Sequence, residues 1–175
     1  MDDTPKRILL IGMMGAGKTT VGRELAKRTG WPFLDNDALV RELTGREPRA
    51  IDAEDGEDAL HAAETAAFRA ATERPGPAII AVAGAVIDDD AARARLAAAG
   101  HVVWLRGRPE TLRGRIGVGA GRRADAHDLA WITARVNERA PRYAGAARQI
   151  IDIENHRPSA MAREIIAAVD DQSAG

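Results

Sequence analysis

Apolar positions along this chain fall into two rhythms: short unbroken runs, and longer stretches in which they recur every three or four residues. "RILLIG", "WPFLDND", "AIIAVAGAVI" (Ala78 to Ile87), "HVVWLRG" and "RQIIDI" are runs of the first kind, the pattern of parallel strands buried on both faces. Between them lie helical stretches. One begins inside "GMMGAGKTT" and stops at Gly30, one covers Ala38 to Leu43, and an alanine-rich one covers Asp58 to Thr72 before "ERPGP". "DDDAARARLAAAG" carries acids at its start and glycine at its end, as a capped helix does. "RPETLRGRI" starts a helix that dissolves into "GVGAGRR", where four glycines within eight positions predict a flap over about residues 114–125. "DLAWITARVNERAPRY" and "PSAMAREIIAAV" close the series, and "DDQSAG" reads as a disordered end.

Strict alternation of strand and helix predicts an α/β fold in three layers: a five-stranded parallel sheet flanked by helices, with a glycine-rich lid. A chain of 175 residues makes one such domain, over 1–170, with a tail at 171–175.

Composition narrows the function. A formal charge of -1 argues against a nucleic-acid or membrane-surface protein, and three Trp, one Tyr and two Phe make a poor base-stacking set. Small ligands become the expectation. Of 25 basic residues only Lys6, Lys18 and Lys27 are lysine, so 22 are arginine, and a lone arginine carries little information. The absence of cysteine excludes disulfides and thiolate chemistry. "MDDTPKR" lacks the basic and apolar regions of a leader, and no stretch approaches the roughly 18 apolar residues of a membrane span. A soluble, cytoplasmic monomer is expected.

The chemistry starts at Gly12 to Thr20. A strand, then GxxxxGKT, then a helix is the setting in which Gly12, Gly15, Ala16 and Gly17 let backbone N–H groups converge on phosphate oxygens. Lys18 reaches the terminal phosphates, Thr19 ligates Mg²⁺, and Thr20 continues the helix start. A guanine-reading NKxD sequence is absent, and the third apolar run ends in "AVAGAV" without an acid, against a GTPase or a large ATPase. A compact phosphotransferase remains. Asp35 and Asp37 follow the second strand at the edge where the phosphate loop opens; in an extended segment both side chains point one way, one toward metal-bound water and one toward an acceptor hydroxyl. "DNDAL" also suits a helix cap.

From these residues onward the chain resembles the shikimate kinases, small relatives of the nucleoside-monophosphate kinases. The resemblance rests on "GMMGAGKTTVGRELA", "FLDNDALVRELTGR", "DGEDALHAAE", "AVAGAV", "GRR", "NERAPRY" and "IIDIENHRP", in that order over nearly the whole length. It implies transfer of the ATP γ-phosphoryl group to the hydroxyl of a small acceptor, with Mg²⁺. Under it Lys18 stabilises the transferring group, Thr19 binds the metal, Asp35 supports its water shell, and Asp37 orients or deprotonates the hydroxyl. Arg122, or its neighbour Arg123, closes the lid; Arg139 anchors the acceptor; Arg115 and Pro158 flank adenine.

Departures from the family pattern gather at the acceptor. His61 stands where the family has a carboxylate-gripping arginine, Leu60 replaces its phenylalanine, and Val82, Ala83 and Gly84 replace a triple glycine. Asp52 replaces an aromatic residue, and Arg123 a proline. A histidine with pKa about 6.5 is mostly neutral at pH 7 and cannot offer a fixed two-pronged cation. The expectation is a shikimate-kinase-like enzyme for a different hydroxylated acceptor, neutral or aminated. Shikimate stays open, since Arg49 can replace the missing arginine; so does an ATP-binding regulator without transfer activity.

Overall fold

The computed structural model describes residues 6–116 and 128–173. Five strands, β1 (Arg7–Ile11), β2 (Phe33–Asp35), β3 (Ala78–Ala81), β4 (His101–Arg106) and β5 (Gln149–Asp152), form one parallel sheet in the order β2-β3-β1-β4-β5. Eight helices are described: α1 (Lys18–Thr29), α2 (Asn36–Thr44), α3 (Pro48–Asp55), α4 (Glu57–Glu73), α5 (Asp90–Ala99), α6 (Pro109–Arg115), α7 (Leu129–Ala146) and α8 (Pro158–Ser173). The expected fold class holds.

Apolar burial explains the order. Every residue of β1 and β3 is buried, so neither strand has a face for water, and β1 takes the centre with β3 on one side and β4 on the other. β5 is buried only at Ile151, with Ile150 exposed, and it sits at the edge. Helix α1 packs on α8 and on β3, whereas α5 and α7 pack on β1, β4 and each other. These are the two outer layers. A third cluster is formed by α2 and α3 against α4. Because all strands run the same way, their C-terminal ends share one edge. That edge receives the loop after β1, Asp35, Val82 to Gly84, and the turn after β5.

Two expectations need correction, and one element was not foreseen. β3 ends at Ala81 rather than Ile87, and Gly84–Asp88 winds into a 3-10 turn. Val86 and Ile87 are apolar because the turn is buried, not because it pairs in the sheet. The stretch around "AIDAEDGE" is the helix α3, which buries only Pro48 and Ile51 and so shows little periodicity. The last helix continues through Ser173, past the expected start of the tail at 171. Helical hydrogen bonding there proceeds without an apolar residue to signal it.

Candidate active site

A cavity of about 560 Å³ opens on the C-terminal edge of the sheet. Its phosphate end is the loop between β1 and α1. Gly12 and Gly15 have φ of 143° and 84°, and a Cβ at either would lie 2.7 Å from the Leu105 carbonyl oxygen or 2.6 Å from that of Leu112. Backbone approaches too close for a side chain therefore hold the loop. Gly17 caps α1 with no side-chain acceptor, and the first turn carries no acid. The helix thus presents its free N–H groups and positive end to the cavity, the arrangement that binds phosphate. Gly15, Gly17, Lys18, Thr19 and Thr20 line it, while Gly12 and Ala16 are buried beneath. Lys18 Nζ donates to the carbonyls of Gly12 (2.7 Å) and Met13 (3.0 Å), which keeps the ammonium at the mouth of the loop.

Beside the loop, Thr19 Oγ1 donates to Asp35 Oδ2 at 3.3 Å. A hydroxyl and a carboxylate facing each other across a phosphate site are the hard oxygen donors that suit Mg²⁺, which keeps most of its waters and needs few protein ligands. Asp35 has a second task. Its Oδ1 accepts the N–H of Asp37 (3.3 Å) as the N-cap of α2. Asp35 and Asp37 are consequently not alternate positions of one extended segment: α2 begins at Asn36, because the cap turns the chain there. Both carboxylates still line the cavity.

The acceptor end is assembled from α3, α4, the 3-10 turn and α7. Asp52, His61, Ala83, Gly84 and Arg139 all line it; Glu57 and Glu64, the two glutamates of "DGEDALHAAE", join them, as does Trp131, to which no motif pointed. Arg49 does not; it is exposed at the start of α3, so the expected replacement is not in place. On α7, Arg139 and Tyr143 are one helical turn apart and reach the same loop. Tyr143 Oη donates to the Gly84 carbonyl at 2.8 Å, and its ring stacks on Trp104 of β4 at 5.6 Å. Burial pushes the Tyr143 hydroxyl well above its ordinary pKa, so it stays a donor.

Arg139 is 6 % exposed and its Nε and Nη2 both donate to Asp88 Oδ2, at 3.0 and 2.8 Å. Asp88 Oδ1 accepts from Arg142 Nη1 at 2.8 Å. Burial opposes the Arg139 charge, but Tyr143 and Asp88 outweigh it and raise the pKa. In the sequence Asp88 looked like the start of a helix; Asp89 does that work, accepting the Ala92 N–H at 2.7 Å. The imidazole of His61 is half-buried, with Nε2 3.6 Å from Glu57 Oε1. Burial lowers its pKa below the ordinary value, and Arg139 adds to this against the pull of Glu57.

Toward the opposite end, Arg115 Nη2 donates to the Ile153 carbonyl at 3.3 Å, and Pro158 begins α8; both line the cavity with His156. Arg122, Arg123 and most of the expected lid lie outside the described residues. Among the described residues no three His, Cys, Asp or Glu gather into a metal cluster, and no helix is long and apolar enough to cross a membrane.

Known proteins share this plan. The profile of the family described as shikimate kinase matches residues 14–170. A shikimate kinase of Moorella thermoacetica is 40% identical over 167 residues, covering 94% of this chain and 95% of that one. One of Thermobifida fusca is 36% identical over 169 residues, covering 93% and 96%. The solved structure of a shikimate kinase from Acinetobacter baumannii in complex with shikimate superimposes with a TM-score of 0.86 at 27% identity, over 97% of this chain and 96% of that one. The chain therefore belongs to the shikimate kinase family, phosphotransferases that use an alcohol group as acceptor.

Proposed function

We propose that this protein transfers the γ-phosphoryl group of ATP, with Mg²⁺, to a hydroxyl of a small polyhydroxylated acceptor, shikimate or a related carbocycle or sugar-like compound. The observation that carries the reading is continuity: one cavity joins Lys18 and Thr19 at the phosphate loop to Asp37 and to the recess under α7. Bound Mg²⁺ supplies charge neutralisation between the phosphates. Thr19 and Asp35 hold it, and Lys18 meets the charge that grows on the transferring group. Asp37 accepts a hydrogen bond from the attacking hydroxyl and fixes its line of approach, the larger part of catalysis in a loose transition state. Arg115 and Pro158 flank adenine; Asp52, His61, Ala83, Gly84 and Arg139 surround the acceptor; Arg122 or Arg123, outside the described residues, supplies a cation to the transferring phosphate. A cytoplasmic monomer fits a consumer of ATP with just two large apolar side chains exposed among the described residues, Leu43 and Ile150.

The test is ADP release coupled to acceptor, measured against shikimate, quinate, gluconate, cyclitols and aminocyclitols. Acceptor-dependent release that disappears in Lys18→Ala supports the reading. ATP binding without transfer to any of these compounds would instead identify a regulator.

A further inference from the structure

Between Asp35 and Asp37 stands Asn36, which lines the same cavity and yet is only 4 % exposed. With Leu39 and Val40 it forms the buried set of α2, at the i, i+3, i+4 spacing of a core-facing stripe. An apolar side chain suits such a position. Here the stripe begins with a carboxamide whose Oδ1 and Nδ2 are both closed to water and have no hydrogen-bond partner among the described residues. Each bond left unmade in burial works against folding. Helix capping does not account for the residue: Asp35 is the N-cap, and its Oδ1 takes the N–H of Asp37. Backbone shape does not either, since α2 is already helical at Asn36 and among the described residues only glycines have positive φ.

What remains is a partner that comes with the acceptor. On one side of Asn36 in the chain Asp35 is turned to Thr19, and on the other Asp37 is the residue that meets the reacting hydroxyl. A carboxamide both donates and accepts, as does an alcohol, so one residue answers a hydroxyl in both directions. Resting on the kinase reading above, we propose that Asn36 is a specificity-determining residue whose amide takes the hydroxyl adjacent to the one presented to Asp37, so that the site selects a vicinal diol. A change of rotamer on binding, common where the backbone stays still, opens the two atoms to the ligand. The position thus gives up stability for recognition.

The probe is shikimate, or whichever of quinate, gluconate, the cyclitols and the aminocyclitols the wild type turns over fastest. Asn36→Leu has the same branched shape without the polar atoms. It should lower kcat/KM for that acceptor by about tenfold or more while KM for ATP is unchanged. It should also raise the Tm of protein without added ligand by about 2–8 °C, because the orphaned amide is gone. An analogue lacking the hydroxyl next to the phosphorylated one should be a poorer substrate of the wild type by a similar factor, and the variant should treat the two compounds alike. Unchanged kcat/KM, a loss shared equally with ATP, a higher Mg²⁺ requirement in place of the acceptor effect, a lowered Tm, or a wild type indifferent to the missing hydroxyl overturns the proposal and leaves the kinase reading standing. Wild-type protein that turns over no polyol overturns both. Should Asn36→Leu fail to fold, as read by circular dichroism, Asn36→Ala carries the same kinetic test.

Discussion

At the phosphate end of the cavity the wall is backbone, whereas at the acceptor end it is side chains. The loop from Gly12 to Lys18 is shaped by close approaches to the carbonyls of Leu105 and Leu112 and by an uncapped helix start. At Gly12 and Gly15 no side chain enters without moving the chain. The acceptor end draws Asp37, Asp52, His61 and Arg139 from α2, α3, α4 and α7, with Arg139 held by Asp88. The half-buried His61 can be exchanged while the helices stay put, whereas Arg139 is buried against Asp88. One end of the cavity is thus fixed by backbone, and the other is open to change at single side chains.

The largest expected effect falls at the phosphate end. Lys18→Ala should lower kcat by roughly 10²–10³-fold, the loss seen when one preorganised charge partner is removed; a drop below tenfold in single-turnover kinetics would mean that the γ-phosphoryl group lies elsewhere. Asp37→Asn should cost about 10²-fold in kcat, the lower range of general-base contributions, with KM little altered. An equal rise in KM would make Asp37 a binding residue only.

Stability separates the two ends more directly. Gly15→Ala, with φ at 84° and a carbonyl oxygen 2.6 Å from the new Cβ, should destabilise by about 1–3 kcal/mol. His61→Ala on the half-buried wall should cost under about 1 kcal/mol. Chemical denaturation of the two variants measures the contrast, and comparable losses would erase it.

The smallest effect is linked to pH. Folding lowers the pKa of His61, chiefly by burial, with Arg139 of α7 adding and Glu57, Asp58 and Asp88 opposing. The neutral form is therefore the one that folding favours. Its contribution is present above the ordinary value of about 6.5 and is lost as pH falls through the lower folded value. The stability of wild type relative to His61→Gln should therefore be constant above about pH 6.5 and fall across that acid range. An imidazole resonance titrating above pH 6.5 would contradict the assignment.

The phosphate end was legible in the sequence because its nine residues are contiguous and flanked by a buried strand and a helix. Asp35 and Asp37 were legible in identity but not in geometry. The helix cap at Asp35 overrides the strand alternation that their spacing suggests. Apolar runs revealed where the strands lie, and they overran at β3 because Val86 and Ile87 are buried in a turn rather than paired. Helix α3 escaped because two buried residues make no period. Asp88 could not have been found. Its role depends on Arg139, 51 positions further along, and nothing local distinguishes it from Asp89 and Asp90.

The central place of β1 also sets an order of events during synthesis. Although the phosphate loop is made first, Gly12 and Gly15 take their shape against Leu105 and Leu112, and β1 needs both β3 and β4 as partners. A nascent chain released only to α5 has the motif but not the surface that bends it. Nucleotide would then act as a late ligand, drawing together halves of the domain that the ribosome delivers separately.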